Sequence, residues 1–241
     1  MPLAFNIAFA TALVPAIASA MIKKDNETIN KRLSFSLLTT ILIGLPCTLG
    51  MAIYSKQILN LLFPNAEQGG MLLAISSITI IFTALAQTIN GALQGIGKVK
   101  IPAIALGCGV LTKLITNIVL IPKEGIYENG AAIGSVLCHI VSFTIVYSVL
   151  RKNLKLNFKL SHIIIKPIVA TVIMGIVSYL SYGITLSITN YDRISTIIGI
   201  IIAIIVYAIS VICLKIYREE DIVMLPKGEK ILKILKKVKI Y

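Results

Sequence analysis

Apolar residues dominate this chain in long uninterrupted runs, and the polar residues gather between them in short clusters rich in lysine and arginine. A helix rises 1.5 Å per residue, so about 20 apolar residues cross the roughly 30 Å hydrocarbon layer of a bilayer. Seven runs are of that order, at residues 3–21, 35–54, 71–93, 101–121, 130–150, 163–186 and 195–216. The pattern predicts an all-α, polytopic bundle of about seven transmembrane helices. Pro15 and Pro46 fall inside two runs and are expected as kinks, because neighbouring helices or water can satisfy the carbonyls they free. A short interfacial element is expected over residues 57–63, before Pro64.

Composition agrees with this pattern. The 241 residues are 57% hydrophobic and 14% charged, with a mean hydropathy of +0.92. A soluble domain carries closer to a quarter charged residues. The net charge of +13 does not make a nucleic-acid face, since the basic residues sit between apolar runs instead of on one side of a soluble domain. Cys47, Cys108, Cys138 and Cys213 each lie inside an apolar run, with no C-x-x-C pair. They are expected as small hydrophobes, with neither disulfide nor metal site. No charged n-region and cleavage site mark a signal peptide.

Basic residues between the runs set the orientation. Lys23, Lys24, Lys31, Arg32, Lys98, Lys100, Arg151, Lys152, Lys155, Lys159, Lys166 and the tail lysines fall on one side, and only Lys56, Lys123 and Arg193 on the other. The expected arrangement is a multi-pass plasma-membrane protein with its C-terminus in the cytoplasm and its N-terminus outside. No cytoplasmic segment precedes the first run, so the chain is expected to be the C-terminal part of a longer protein; the alternative is a short seven-span protein. In the tail, Ile231, Ile234, Leu235 and Val238 alternate with Lys230, Lys233, Lys236 and Lys237. That pattern predicts a basic amphipathic helix on anionic membrane lipids, against the alternative of a solvated tail.

Polar groups inside the runs are the candidates for chemistry, because hydrocarbon makes them costly. Thr83, Gln87, Asn90 and Gln94 are spaced to share one helical face. Such amides either line a wet cavity or bond to a neighbouring helix, at about 1 kcal/mol per contact. Lys113 lies deep in its run, beyond easy reach of the headgroups, with Thr116 and Asn117 on its face and no Asp or Glu inside any run. It serves either an anionic ligand or the packing. Ser135, His139 and Ser142 form another stripe, best explained by a hydrogen-bonded packing histidine, and His162 is expected at the interface. No nucleophile–base pair, P-loop or H-E-x-x-H pattern supports an enzyme.

Several strings then match a known family in order and spacing. They are Ala12-Leu13-Val14-Pro15, Gly44-Leu45-Pro46, Leu61-Leu62-Phe63-Pro64, the stretch Asn90-Gly91-Ala92-Leu93-Gln94-Gly95-Ile96-Gly97-Lys98, and Lys113 with Asn117 and Leu120-Ile121-Pro122, followed by Gly125-Ile126 and Gly130-Ala131-Ala132. The chain resembles the polysaccharide biosynthesis and stage V sporulation protein B branch of the multidrug/oligosaccharidyl-lipid/polysaccharide flippase superfamily. The resemblance implies a fourteen-helix transporter of two six-helix lobes plus two further C-terminal helices, working by alternating access. Residues 1–150 would be a partial C-terminal lobe, 151–216 the two additional helices and 217–241 the basic cytoplasmic tail.

The implied substrate is a lipid-linked glycan precursor for the cell envelope or spore cortex, moved without organic cofactor or metal. The implied partner is the N-terminal lobe of the same transporter. Lys113 would then balance the anionic headgroup, while Gln87, Asn90, Gln94 and Asn117 hydrogen-bond to sugar or phosphate. The alternatives are a cation-coupled multidrug exporter, which needs an ion-binding carboxylate from elsewhere, and a non-transporting membrane module that recruits envelope-synthesis enzymes. The orientation is testable with single cysteines in a chain otherwise free of them. An impermeant maleimide should label Lys123→Cys in intact cells and Lys98→Cys only after permeabilisation; the reverse pattern would invert the topology.

Overall fold

The computed structural model describes residues 2–63, 69–154 and 160–217, with side chains described for 6–63, 69–154 and 163–217. All regular secondary structure among them is helical: α1 (Pro2–Ile22), α2 (Asn26–Ile53), α3 (Ser55–Leu62), α4 (Gly70–Gly95), α5 (Ile101–Leu120), α6 (Tyr127–Asn153), α7 (Leu160–Thr189) and α8 (Asp192–Cys213). Six helices, α2 and α4 to α8, are long and apolar enough to cross a membrane by length and composition. In α1, the stretch Asn6–Ile22 is apolar but shorter. Each expected run is occupied by one helix, and α3 takes the place of the short interfacial element expected over residues 57–63. The expected tail helix, Pro64, Lys155, Lys159 and the side chain of His162 lie outside the described residues.

Local chemistry sets the helix ends. Asp25 caps α2, its carboxylate accepting from the Thr28 backbone N–H at 3.0 Å and the Thr28 hydroxyl at 2.6 Å. Those bonds hold the Asp25 carboxyl below its ordinary pKa. The α2 helix starts nine residues before its apolar run because Ile29 and Leu33, one turn apart, reach the core while Lys31 and Arg32 stay exposed. At the end of α4, Lys98 N–H bonds Leu93 O at 2.8 Å and Gly97 N–H bonds Gln94 O at 3.0 Å. Gly97 supplies the φ of +80° that this closing turn requires. Pro102 then sits in the first turn of α5, where its missing N–H costs nothing.

Two compact units divide the chain, residues 1–158 and 159–241. In the first, α4 is the hub, packed against α1, α2 and α6, with α3 beside it. Leu13 and Ile17 of α1, Leu33 and Leu37 of α2, Ile89 and Leu93 of α4, and Val146 and Leu150 of α6 form one buried apolar cluster. Helix α5 packs along α6 and touches α4 only slightly. Its outer face carries Leu111, Ile115 and Ile118 at 61 to 66% exposure, as expected of a helix turned to lipid.

The α5–α6 seam is built from small residues four apart on each helix. Ser142 Oγ donates to Ala105 O at 3.0 Å. A Cβ added at Gly109 would strike Ser142 Oγ and the Cys138 carbonyl, and one at Gly130 would press on Leu120. Close backbone approach of this kind drives helix association in lipid, where apolar side chains gain little by leaving the solvent. In the second unit α7 and α8 pair as a hairpin. Ser178 Oγ donates to Gly199 O at 3.1 Å and Tyr182 OH to Asp192 Oδ1 at 2.6 Å. The Lys166 ammonium donates to the Leu214 and Lys215 carbonyls at 2.9 and 3.1 Å, capping the end of α8. Because α5 depends on its seam, Gly109→Leu should destabilise the first unit by about 1–3 kcal/mol in detergent unfolding. Gly107→Leu, where an added Cβ meets open space, should change it far less.

Candidate functional site

An apolar start to α1 leaves Asn6 as a polar group that must find its partners inside the protein. It does so where α1, α2 and α4 meet. Asn6 Nδ2 donates to Ala84 O at 2.6 Å and to Gln87 Oε1 at 3.2 Å. Asn6 Oδ1 lies 2.9 Å from the Thr40 hydroxyl and 3.2 Å from that of Thr88, and the two hydroxyls are 2.7 Å apart. Asn6, Thr40 and Thr88 are all buried. A small void of about 10 Å³ adjoins this junction, lined by Asn6, Thr40, Gly44 and Ala84 among others.

Gln87 connects the buried junction to a cleft between α1 and α4. The cleft holds about 210 Å³ and is lined by Ile7, Ala10, Thr11, Val14, Gln87, Asn90, Gly91 and Gln94. Gln87 and Asn90 are half-buried and Gln94 is exposed. Gly91 is required here, since a Cβ would collide with the Ala10 carbonyl, and Gly95 meets Ile17 and the Val14 carbonyl one turn later. Asn90 Oδ1 is buried, and no described group donates to it. Three of the amides expected on one face therefore do line one opening; Thr83 is not among its walls.

Lys113 and Asn117 stand elsewhere. They continue the Ala105–Gly109 line of α5 into the α6 seam, where a Cβ at Gly134 would strike Asn117 Oδ1 and lie 3.5 Å from Lys113 Cγ. Asn117 Oδ1 is buried without a described donor, while both residues are half-buried overall. The structure does not bring this pair to the α1–α4 cleft. His139 on α6 is half-buried. Of its stripe neighbours, Ser135 Oγ donates to Ala131 O within α6 and Ser142 Oγ to Ala105 O across the seam, each at 3.0 Å.

Asn6, Thr40 and Thr88 were not singled out by sequence pattern. The available signal was weak: one asparagine inside the first apolar run, and threonines that on their own helices bond back to carbonyls, as Thr88 does to Ala84 O at 3.2 Å.

Comparison with known proteins places the chain. The family model described as "Lipid II flippase MurJ" matches residues 1–202. The chain is 34% identical to the uncharacterized membrane protein YabM of Bacillus subtilis (strain 168) over 131 residues, 54% of this chain and 24% of that protein. It is 25% identical to the lipid II flippase MurJ of the same organism over 159 residues, 64% of this chain and 28% of that one. A solved structure of lipid II flippase MurJ in an inward closed conformation shares the fold, with a TM-score of 0.67 and 21% identity over 86% of this chain and 44% of that one. The alignments span about a quarter of the length of the curated relatives. Matched over most of its length, the chain belongs to the lipid II flippase MurJ family, within the broader flippase superfamily that its motifs resemble.

Proposed function

We propose that this chain forms one wall of a flippase for a lipid-linked, pyrophosphate-bearing glycan precursor of the cell envelope. The observation that carries this reading is an amide-lined cleft between the apolar helices α1 and α4 in a chain of this family. Hydrocarbon would exclude such a face unless a polar group or water met it. A second lobe, on the same or another polypeptide, faces the cleft, and the two work by alternating access in the plasma membrane. The chain moves its substrate without covalent change, so it is not an enzyme. Its C-terminus is cytoplasmic, and the basic tail rests on anionic lipid.

The precursor is a peptidoglycan intermediate, in keeping with the family, and the spore cortex and envelope polysaccharide are the pathways that the branch resemblance favours. Lys113 is the cation deepest within an apolar run. It supplies counter-charge along the path of the pyrophosphate, and Asn117 stands beside it.

Binding in lipid nanodiscs tests this reading. By native mass spectrometry the chain should hold polyprenyl pyrophosphate carrying a disaccharide in preference to phospholipid, and Lys113→Ala should weaken that binding by about tenfold, roughly 1.4 kcal/mol. Alone, the chain should not move a fluorescent analogue across proteoliposomes; reconstituted with the N-terminal lobe of a relative, it should. Binding no tighter than that of phospholipid would overturn the function, and an unchanged Lys113→Ala would remove Lys113 from it.

A further inference from the structure

The buried junction fixes which end of one cleft amide meets the ligand. Ala84 O can only accept, so the Asn6 atom 2.6 Å from it is the NH2 group, and Asn6 Oδ1 is the end that faces the Thr40 and Thr88 hydroxyls. The same NH2 reaches Gln87 at 3.2 Å, which only the Gln87 oxygen can answer. The Gln87 NH2 is left over, without a protein partner among the described residues, on a side chain that lines the cleft. Asn90 adds a second amide one turn on; its oxygen is buried, which leaves its NH2 as the end open to the cleft. None of the lining side chains is charged, and Lys113 lies in the α5–α6 seam.

We propose that the α1–α4 cleft is the glycan subsite of the flippase, that it takes neutral acceptor oxygens of an N-acetylated sugar and not the pyrophosphate, and that Asn6 is the positioning residue that aims Gln87. This rests on the flippase reading above. A pyrophosphate placed among neutral amides in a low-dielectric cleft would lack the counter-charge that offsets its desolvation. Hydroxyl and acetamido oxygens carry no such penalty. They need donors, and an amide whose oxygen is already occupied presents one. The Ile7, Ala10 and Val14 wall opposite offers the apolar surface on which a sugar ring rests.

The test compares two probes on the full chain in nanodiscs: polyprenyl pyrophosphate, and the same lipid carrying an N-acetylated disaccharide. The native chain should bind the glycosylated lipid about tenfold more tightly than the bare one. Gln87→Met and Asn90→Leu should each erase most of that preference while leaving bare-lipid affinity within about twofold. Asn6→Asp, which keeps an acceptor for the threonines but loses the NH2, should do the same without touching ligand. If Asn6→Asp fails to fold, the two cleft variants still decide whether the subsite exists, and Asn6→Leu, close in shape but without the NH2, decides its role: loss of the preference supports aiming, and a preference kept in full removes Asn6 from it. A preference that survives both cleft variants, or affinity lost equally for both lipids, overturns the subsite. A native chain that binds both lipids equally overturns the subsite and leaves the flippase reading standing. One that binds neither overturns both.

Discussion

In hydrocarbon a polar group has no solvent to fall back on, and the first unit is arranged around one answer to that constraint. Asn6 brings two donors and an acceptor into the place where α1, α2 and α4 converge, and the Ala84 carbonyl, the Gln87 amide and the Thr40 and Thr88 hydroxyls meet them. The geometry is possible only because α1 and α4 run close together. Gly91 and Gly95 allow that approach by omitting the Cβ atoms that would strike Ala10, Val14 and Ile17. Close backbones and a satisfied amide are thus one device, and the cleft is the part of the same interface left open where side chains diverge.

The α5–α6 seam solves the same problem with different groups. Small residues let the backbones touch, and a single hydroxyl, Ser142, bridges to a carbonyl. Lys113 lays part of its stem against this seam, and Asn117 packs its oxygen on Gly134. A contact between that oxygen and the glycine Cα–H is the kind of weak interaction that recurs at tight helix crossings. Placing the lysine here separates positive charge from the neutral amides of the cleft. The two sets of polar groups meet different neighbours and are suited to different chemistry.

Much of this was legible in the sequence, for physical reasons that differ from residue to residue. Run length and apolarity determine where helices cross a membrane, so the spans were readable. The start of α2 was not, because Lys31 and Arg32 mask the apolar pair Ile29 and Leu33 that extends the helix. The stripe of Gln87, Asn90 and Gln94 was readable because helical periodicity alone puts those residues on one face. That Lys113 and Asn117 would not join them was unreadable, since no local pattern says that α5 packs on α6 and barely on α4. The Asn6 junction was hidden for the same reason: its bonds to Thr40 and Thr88 span 34 and 82 residues.

The junction also constrains how the protein can move. Sliding α1 along α4 by one helical turn, about 5.4 Å, would strand the Asn6 amide from Ala84 and Gln87 and drive Gly91 away from the one backbone it fits. A buried polar group left unpaired costs on the order of 1–3 kcal/mol, and several would be stranded together. Helices α1, α2 and α4 are therefore held as a block, and the amide edge of the cleft keeps its orientation within it. In the proposed flippase, alternation of access would then take place at other interfaces, with the cleft carried intact from one side to the other. The proposed glycan subsite, with its donors kept aimed throughout, would hold a neutral sugar through such a movement, whereas the charged part of the proposed substrate would need its counter-charge elsewhere along the way.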